Sequence, residues 1–400
     1  MRILWIKTEL LHPVDKGGKI RTFQMLRALA RHHQVTYLCL DDGSAAPDAL
    51  ARSREYAQET VTVPFAPPAK GSLGFYGALA ANLFSPVPYA LERYKSAALK
   101  SQITARAANA DLVVCDFLMP TINVVDGLPS QVVLFQHNVE AVIWKRHATV
   151  PQNPLRRAYM TLQWRRMARF EASECRRFAH VVAVSESDAQ VFRQQYGIQS
   201  VSDVPTGVDL DYFTPTPGSR RATAELVFVG SMDWMPNDEG IRWFASDVFR
   251  LVQQRVPGAR LTVVGRSPSA AMRALAKGNP NIEVTGTVPD VRSYLERAAL
   301  SVVPLRIAGG TRLKIYEAMA LGAPIVSTTI GAEGLPVQDG KHLRLADSPE
   351  AQAAAIVDLL QRPDEAQRLA ARARAYVEQH CSWEAVATQF ISQCTKGKVA

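Results

Sequence analysis

Ser301-Val-Val-Pro-Leu-Arg-Ile-Ala-Gly-Gly-Thr-Arg-Leu-Lys-Ile-Tyr-Glu-Ala-Met-Ala-Leu-Gly-Ala-Pro-Ile-Val-Ser327 is the stretch from which the fold is read. The run from Leu300 to Leu305 reads as a buried parallel strand. Gly309-Gly310-Thr311 breaks it, and Arg312 to Leu321 has the composition of a helix, with Thr311 as its N-cap and Gly322 and Pro324 closing it. A second short strand, Pro324 to Ser327, completes a βαβ unit, and such sheets bind ligands at the carboxyl ends of their strands. Glycines admit a ligand close to the backbone, and the first helical N–H groups favour an anion. Arg312 and Lys314 place two cations in that first turn, against the helix dipole. Glu317 follows three residues after Lys314. A diphosphate held by cations and amides, with a ribose hydroxyl on the carboxylate, accounts for all of them. An exposed basic turn with an ordinary ion pair is the plainer alternative.

Four hundred residues suit two domains. A composition 47% hydrophobic and 21% charged is globular rather than disordered. The net charge of +9 suits an anionic partner without choosing among nucleic acid, acidic lipid and nucleotide diphosphate. Cys39, Cys115, Cys175, Cys381 and Cys394 are odd in number and lack metal-ligand spacing, so they point to a reducing compartment. The N-terminal Met1-Arg-Ile-Leu-Trp-Ile-Lys7 is too short for a signal segment and reads as a first strand. No run is long enough to span a membrane. A cytoplasmic protein is expected, with a peripheral place at the inner membrane face also open.

The opening stretch resembles the donor-binding signature of retaining family 4 glycosyltransferases of the GT-B fold. Glu317-Ala318-Met319-Ala320 and Gly322-Ala-Pro-Ile-Val326 match its second half, while its first glutamate would fall at Gly309. Gly309-Gly-Thr-Arg-Leu-Lys-Ile-Tyr-Glu-Ala-Met-Ala320 matches a subgroup more closely. The resemblance implies an α/β architecture of two Rossmann-like, doubly wound domains facing an interdomain cleft. Residues 1–214 would bind the acceptor, 215–380 would bind the nucleotide sugar, and 381–400 would form a helix crossing back to the first domain.

In the first half, Arg2 to Lys7, Gln34 to Leu40, Val61 to Phe65, Leu112 to Phe117, Val132 to Phe135 and Val181 to Ser185 read as strands. Gly17 and Gly18 precede a helix starting near Lys19; the family places this loop near the donor phosphate or acceptor, and a plain tight turn is the alternative. Gly71 to Tyr89 is apolar and aromatic; an amphipathic segment near an acceptor or a membrane surface is one reading, and ordinary packing against the core is the expectation for it. His137 follows a strand at its carboxyl end, where the family has a histidine contacting the transferred sugar. Arg156 to Arg177 is a basic helical segment. It reads as a solvated face paired with Glu171 and Glu174, or as a membrane or nucleic-acid face.

In the second half, family 4 enzymes carry an Arg and a Lys after the first strand; here those places hold Ser231 and, approximately, Asn237. Arg312 and Lys314 are the natural substitutes, and Arg266 is a further phosphate ligand. Gly286, Thr287 and Val288 match the segment under the nucleobase. The resemblance thus gives His137, Arg312 and Lys314 catalytic roles, and assigns the donor to Gly17, Gly18, Arg266, Gly286, Thr287, Val288, Gly309, Gly310, Thr311 and Glu317. No Asp-x-Asp metal pair stands out, so metal-independent transfer from a nucleotide sugar to a glycan or lipid-linked acceptor is expected, in exopolysaccharide or lipid-linked glycan synthesis. A same-fold sugar-nucleotide epimerase, a basic nucleic-acid-binding protein and an inactive binding module remain alternatives.

Overall fold

The computed structural model describes residues 1–15, 17–149, 153–307 and 312–395. The chain divides into two compact units: Met1–Pro205 with the stretch from Val386 on, and Thr206–Ala385. Residues 206–214 belong to the second unit. Val208 donates to the Cys381 carbonyl at 2.8 Å and bridges to Ser382.

The first unit holds seven parallel strands: β1 (Arg2–Lys7), β2 (Gln34–Asp41), β3 (Glu59–Pro64), β4 (Leu112–Asp116), β5 (Gln131–Gln136), β6 (His180–Ala183) and β7 (Val201–Asp203). Their order is β3-β2-β1-β4-β5-β6-β7, so the winding reverses between β1 and β4. Helices cover parallel sheets on both faces, which is why these strands are apolar almost throughout. All five residues of β4 are buried, and so is β1 beyond Arg2. The C-terminal stretch joins this unit through Phe390, which packs 5.6 Å from Trp5, and Cys394, whose carbonyl accepts from Gln131.

The second unit repeats the design with β8 (Glu225–Val229), β9 (Arg260–Val264), β10 (Ile282–Gly286), β11 (Leu300–Val303), β12 (Ile325–Ser327) and β13 (Arg344–Leu345), ordered β10-β9-β8-β11-β12-β13. Its reversal lies between β8 and β11. The expected strand to Leu305 stops at Val303, because Pro304 has no N–H to donate to the ladder. The expected Arg312–Leu321 helix runs Leu313–Ala320, with Arg312 at the capping position and no side-chain cap; Thr311 lies outside the described residues. Near the C-terminus, Pro349–Gln361 and Pro363–His380 form two separate helices, because Pro363 starts a helix but cannot continue one.

Two expectations for the first unit are corrected. The Gly71–Tyr89 segment packs apolar side chains on the core only near its end, where Val87 lies against the Leu91, Leu118 and Met167 cluster. Its helix, Leu73–Asn82, leaves Leu73 and Phe84 beside it more than 90% exposed and buries Asn82. It is held by polar contacts instead: Asn82 accepts from Gln163, and Arg166 donates to the Asn82 and Leu83 carbonyls at 2.7 Å each. The arginine helix, Pro154–Arg177, is likewise not a uniformly solvated face. Arg166 is buried, Arg176 donates to the Tyr196 carbonyl, and Arg177 grips the Thr121 and Val124 carbonyls besides Asp126 and Glu174. Glu171 pairs with no arginine among the described residues. It is fully buried and accepts from the Glu140 and Ala141 N–H groups and the Tyr196 hydroxyl. All five cysteines are buried free thiols.

Candidate functional site

In the second unit the strand ends at the reversal point are drawn together by backbone bonds. Gly230 donates to the Val264 carbonyl at 2.9 Å, Gly265 to Gly286 at 3.2 Å, and Met232 to Arg266 at 2.9 Å. Beneath this edge lies Lys314, on the first turn of the Leu313–Ala320 helix. Its ammonium donates to Asn237 Oδ1 at 2.7 Å and sits 4.3 Å from the centre of the Phe228 ring. Asn237 is buried, and its own amide donates to the Ser231 carbonyl. Gly230 makes this arrangement sterically open, since a Cβ there would come within 2.8 Å of both Asn237 Nδ2 and Lys314 Nζ.

Burial lowers the Lys314 pKa to about 7, against the pull of Glu317, with Arg312 adding to the lowering. Burial raises that of Glu317 to about 7, against the pull of Lys314. Desolvation therefore outweighs their mutual attraction. No carboxylate lies within salt-bridge distance of Lys314 among the described residues. The i,i+3 ion pair of the plainer alternative is absent there, and the helix start is enclosed rather than solvent-facing.

The other donor-site candidates scatter. Arg312 is buried and turned toward the following loop, donating to the Ile330 carbonyl at 3.1 Å and pairing with Glu333 at 3.4 Å; it makes no described contact with Lys314. Arg266 is half exposed, donates to Ser231 Oγ at 2.8 Å and pairs with Asp233 at 3.4 Å. Gly286 ends β10 with a φ of +72°, Thr287 is exposed and Val288 partly buried, so this segment does form an open strand-end loop. Gly309, Gly310 and Thr311 lie outside the described residues.

In the first unit a polar cluster occupies the corresponding reversal point. Asp116, the last residue of β4, is fully buried. Its Oδ2 accepts from Lys7 at 2.9 Å, Thr22 at 2.7 Å and Trp5 Nε1 at 3.0 Å, while Oδ1 lies 2.8 Å from His137 Nε2. Burial penalises the carboxylate, yet Lys7, His137 and the Thr22 hydroxyl outweigh it and hold its pKa well below the ordinary range. Burial lowers His137 to about 4 against the pull of Asp116, so the ring is neutral at pH 7. Nδ1 has no hydrogen-bond partner among the described residues, and Nε2, although close to Asp116 Oδ1, meets it outside hydrogen-bond geometry.

His137 stands at the end of β5, as expected, but its ring is only 4% exposed. Phe117 stacks on it at 3.9 Å, and Phe135 packs edge-on at 4.6 Å. Phe117 itself has a φ of +74°, a sterically strained conformation for a bulky side chain. Gly17 is exposed at the start of its helix. Gly18 lets Phe117 approach, since a Cβ there would meet the ring at 3.0 Å.

Two family models match this chain. One, described as Glycosyltransferase Family 4, covers residues 16–212, and the other, Glycosyl transferases group 1, covers 223–362. The chain belongs to this glycosyltransferase family. Among curated relatives, it is 27% identical over 218 residues to the phosphatidyl-myo-inositol mannosyltransferase of Mycobacterium leprae, covering 52% of this chain and 57% of that protein. It is also 27% identical over 130 residues to an uncharacterized 44.6 kDa protein in the cps region of Klebsiella pneumoniae, covering 30% and 33%. The chain thus spans from a third to rather more than half of these relatives' length. Among solved structures it resembles sucrose-phosphate synthase from Thermosynechococcus elongatus with a TM-score of 0.69, at 18% identity over 98% of both chains. It resembles Anabaena HepE in complex with UDP with a TM-score of 0.67, at 13% identity over 99% of this chain and 100% of that one. These likenesses establish the GT-B fold, with each unit one Rossmann-like domain.

Sequence reading missed the partners that shape both clusters. Lys7 and Asp116 are charged residues closing otherwise apolar strands at the sheet's carboxyl edge, and that pattern was the available signal. Asn237 stands where the resemblance has a cation, and in the structure it is the residue that holds one. Nothing local marks Phe117 as the cover of His137.

Proposed function

We propose that this member of the family moves a sugar from a nucleotide-diphosphate sugar to a hydroxyl acceptor with retention of configuration. The observation that carries the reading is Lys314. It brings a cation to the glycine-lined edge of the second sheet, beside Asn237, where the family's usual lysine is absent. Negative charge grows on the diphosphate as the glycosidic bond breaks, and a preorganised cation and amides stabilise it. The leaving diphosphate takes the acceptor proton as the new bond forms on the same face. Glu317 holds the ribose. Arg266 and the Gly286–Val288 segment border the nucleotide. With Lys314 supplying the charge, the scheme needs no metal ion.

His137 takes part through Nδ1, which can accept from a sugar hydroxyl once the Phe117 ring moves aside. Asp116 positions the imidazole. An anionic glycan or lipid-linked acceptor agrees with relatives named for phosphatidylinositol substrates and for a cps region, and UDP-bound neighbours agree with a nucleotide donor.

A thermal-shift screen of UDP- and GDP-sugars tests the donor reading, because a ligand of the native state raises the melting temperature. A shift with one sugar nucleotide, followed by sugar transfer and NDP release only when acceptor is added, is the expected result. Interconversion of the sugar without acceptor would make the protein an epimerase instead.

A further inference from the structure

From Gly71 to Leu91 the chain carries no charged residue, yet most of it from Gly71 to Pro86 is surface. Leu73, Tyr76, Ala80 and Phe84 recur at steps of three and four residues, which sets them on one side of the Leu73–Asn82 helix and its continuation. Leu73 is 92%, Tyr76 60% and Phe84 93% exposed. The opposite side makes the attachments already described, and Phe75 there packs on Tyr89 at 5.8 Å. An apolar stripe of this kind on a folded surface marks a site of interaction.

The neighbouring surface is cationic. Between Asn153 and Phe170 the Pro154–Arg177 helix has five arginines and no acidic residue. Leu155, Leu162, Arg165 and Arg169 share one exposed side of it, again by helical spacing. Arg166, adjacent to Arg165, holds the Asn82 and Leu83 carbonyls and so joins this helix to the end of the Leu73–Asn82 helix, just before Phe84. Apolar side chains bordered by arginines match the interfacial region of an acidic bilayer, where the first enter the acyl boundary and the second meet headgroups. A symmetric second copy docking on the same stripe would bring arginines toward arginines. Nucleic acid would leave Leu73 and Phe84 without a role.

We propose that the Leu73–Phe84 stripe and the arginine side beside it form a docking surface for an anionic lipid bilayer. The inference is independent of the donor chemistry. It also relocates any membrane contact from the whole Arg156–Arg177 segment, three of whose arginines are engaged with backbone carbonyls, to the uncharged helix next to it.

Co-sedimentation of the full chain with vesicles of phosphatidylcholine, alone or mixed with phosphatidylglycerol, tests it. Binding to the mixed vesicles is expected, weakening with salt. Replacing Leu73→Ser and Phe84→Ser together should lower it at least about tenfold, from the lost apolar burial. Arg165→Gln and Arg169→Gln should each lower it about fivefold on acidic vesicles and hardly at all on neutral ones. These side chains are exposed, so circular dichroism and melting should be unchanged, and Phe84→Trp should give blue-shifted fluorescence on vesicles. No binding to acidic vesicles, or equal binding by the serine variant, overturns the proposal. So does concentration-dependent dimerisation abolished by the serine pair in a protein that ignores vesicles.

Discussion

Lys7 and Lys314 are semi-buried or buried cations at matching places in the two sheets, one ending β1 and the other lying beside Gly230 just past β8. They differ in what answers their charge. Lys7 has a carboxylate at 2.9 Å, fixed in turn by Thr22, Trp5 and His137. Lys314 has a neutral amide oxygen and the face of Phe228. A cation with a full counter-charge is a fixed part of the fold. One with only dipoles around it is costly in the empty site and becomes favourable when an anion arrives. The matching corner of the two sheets thus serves structure in one unit, and in the other it fits the binding role proposed above.

The strongest challenge to this contrast is stability. Asp116→Ala leaves Lys7 buried without its partner and should cost about 3–5 kcal/mol, read as a lower urea midpoint. Lys314→Met should be neutral or stabilising, because it removes a buried charge that has no counter-ion. Similar losses for both would abolish the distinction.

Turnover should reverse the ranking. Lys314→Ala is expected to slow sugar transfer by about a hundred- to a thousand-fold, the cost of removing one preorganised donor to a developing anion. Folding should persist, and unchanged turnover would mean that another group neutralises the diphosphate.

The third effect is on pH. Lys314 loses its proton and Glu317 loses its own near pH 7. Both changes make the site less positive as pH rises, so donor affinity should fall between pH 6 and 8, by up to about tenfold per unit for each proton involved. Isothermal titration in buffers of different ionisation heat would register the proton uptake. Lys314→Arg, always charged, should flatten the profile.

The smallest effect is expected of Glu317→Ala. A ribose contact is present equally before and during transfer, so donor affinity should drop about three- to tenfold with kcat nearly unchanged. A loss confined to kcat would give the carboxylate a role in the reaction itself.

Much of this molecule was legible along the chain. Apolar runs bounded by glycines and prolines give the parallel strands, because a strand covered on both faces must be apolar throughout, and Arg2–Lys7 ends where its sequence pattern does. The Leu313–Ala320 helix and the strand before it follow from local spacing and from family likeness. What tertiary structure alone decided is where the charges go. Arg312 and Lys314 are two residues apart, yet one turns to Ile330 and Glu333 and the other to Asn237, since helix geometry sends such neighbours to different sides. His137 is covered by Phe117 from another strand end, and Asp116 gathers Lys7, Thr22 and Trp5 from 94 to 111 residues away. The apolar Leu73–Asn82 helix stays outside because the contacts anchoring it are made by Asn82, Gln163 and Arg166, and hydrophobic pattern carries no information about such distant polar partners.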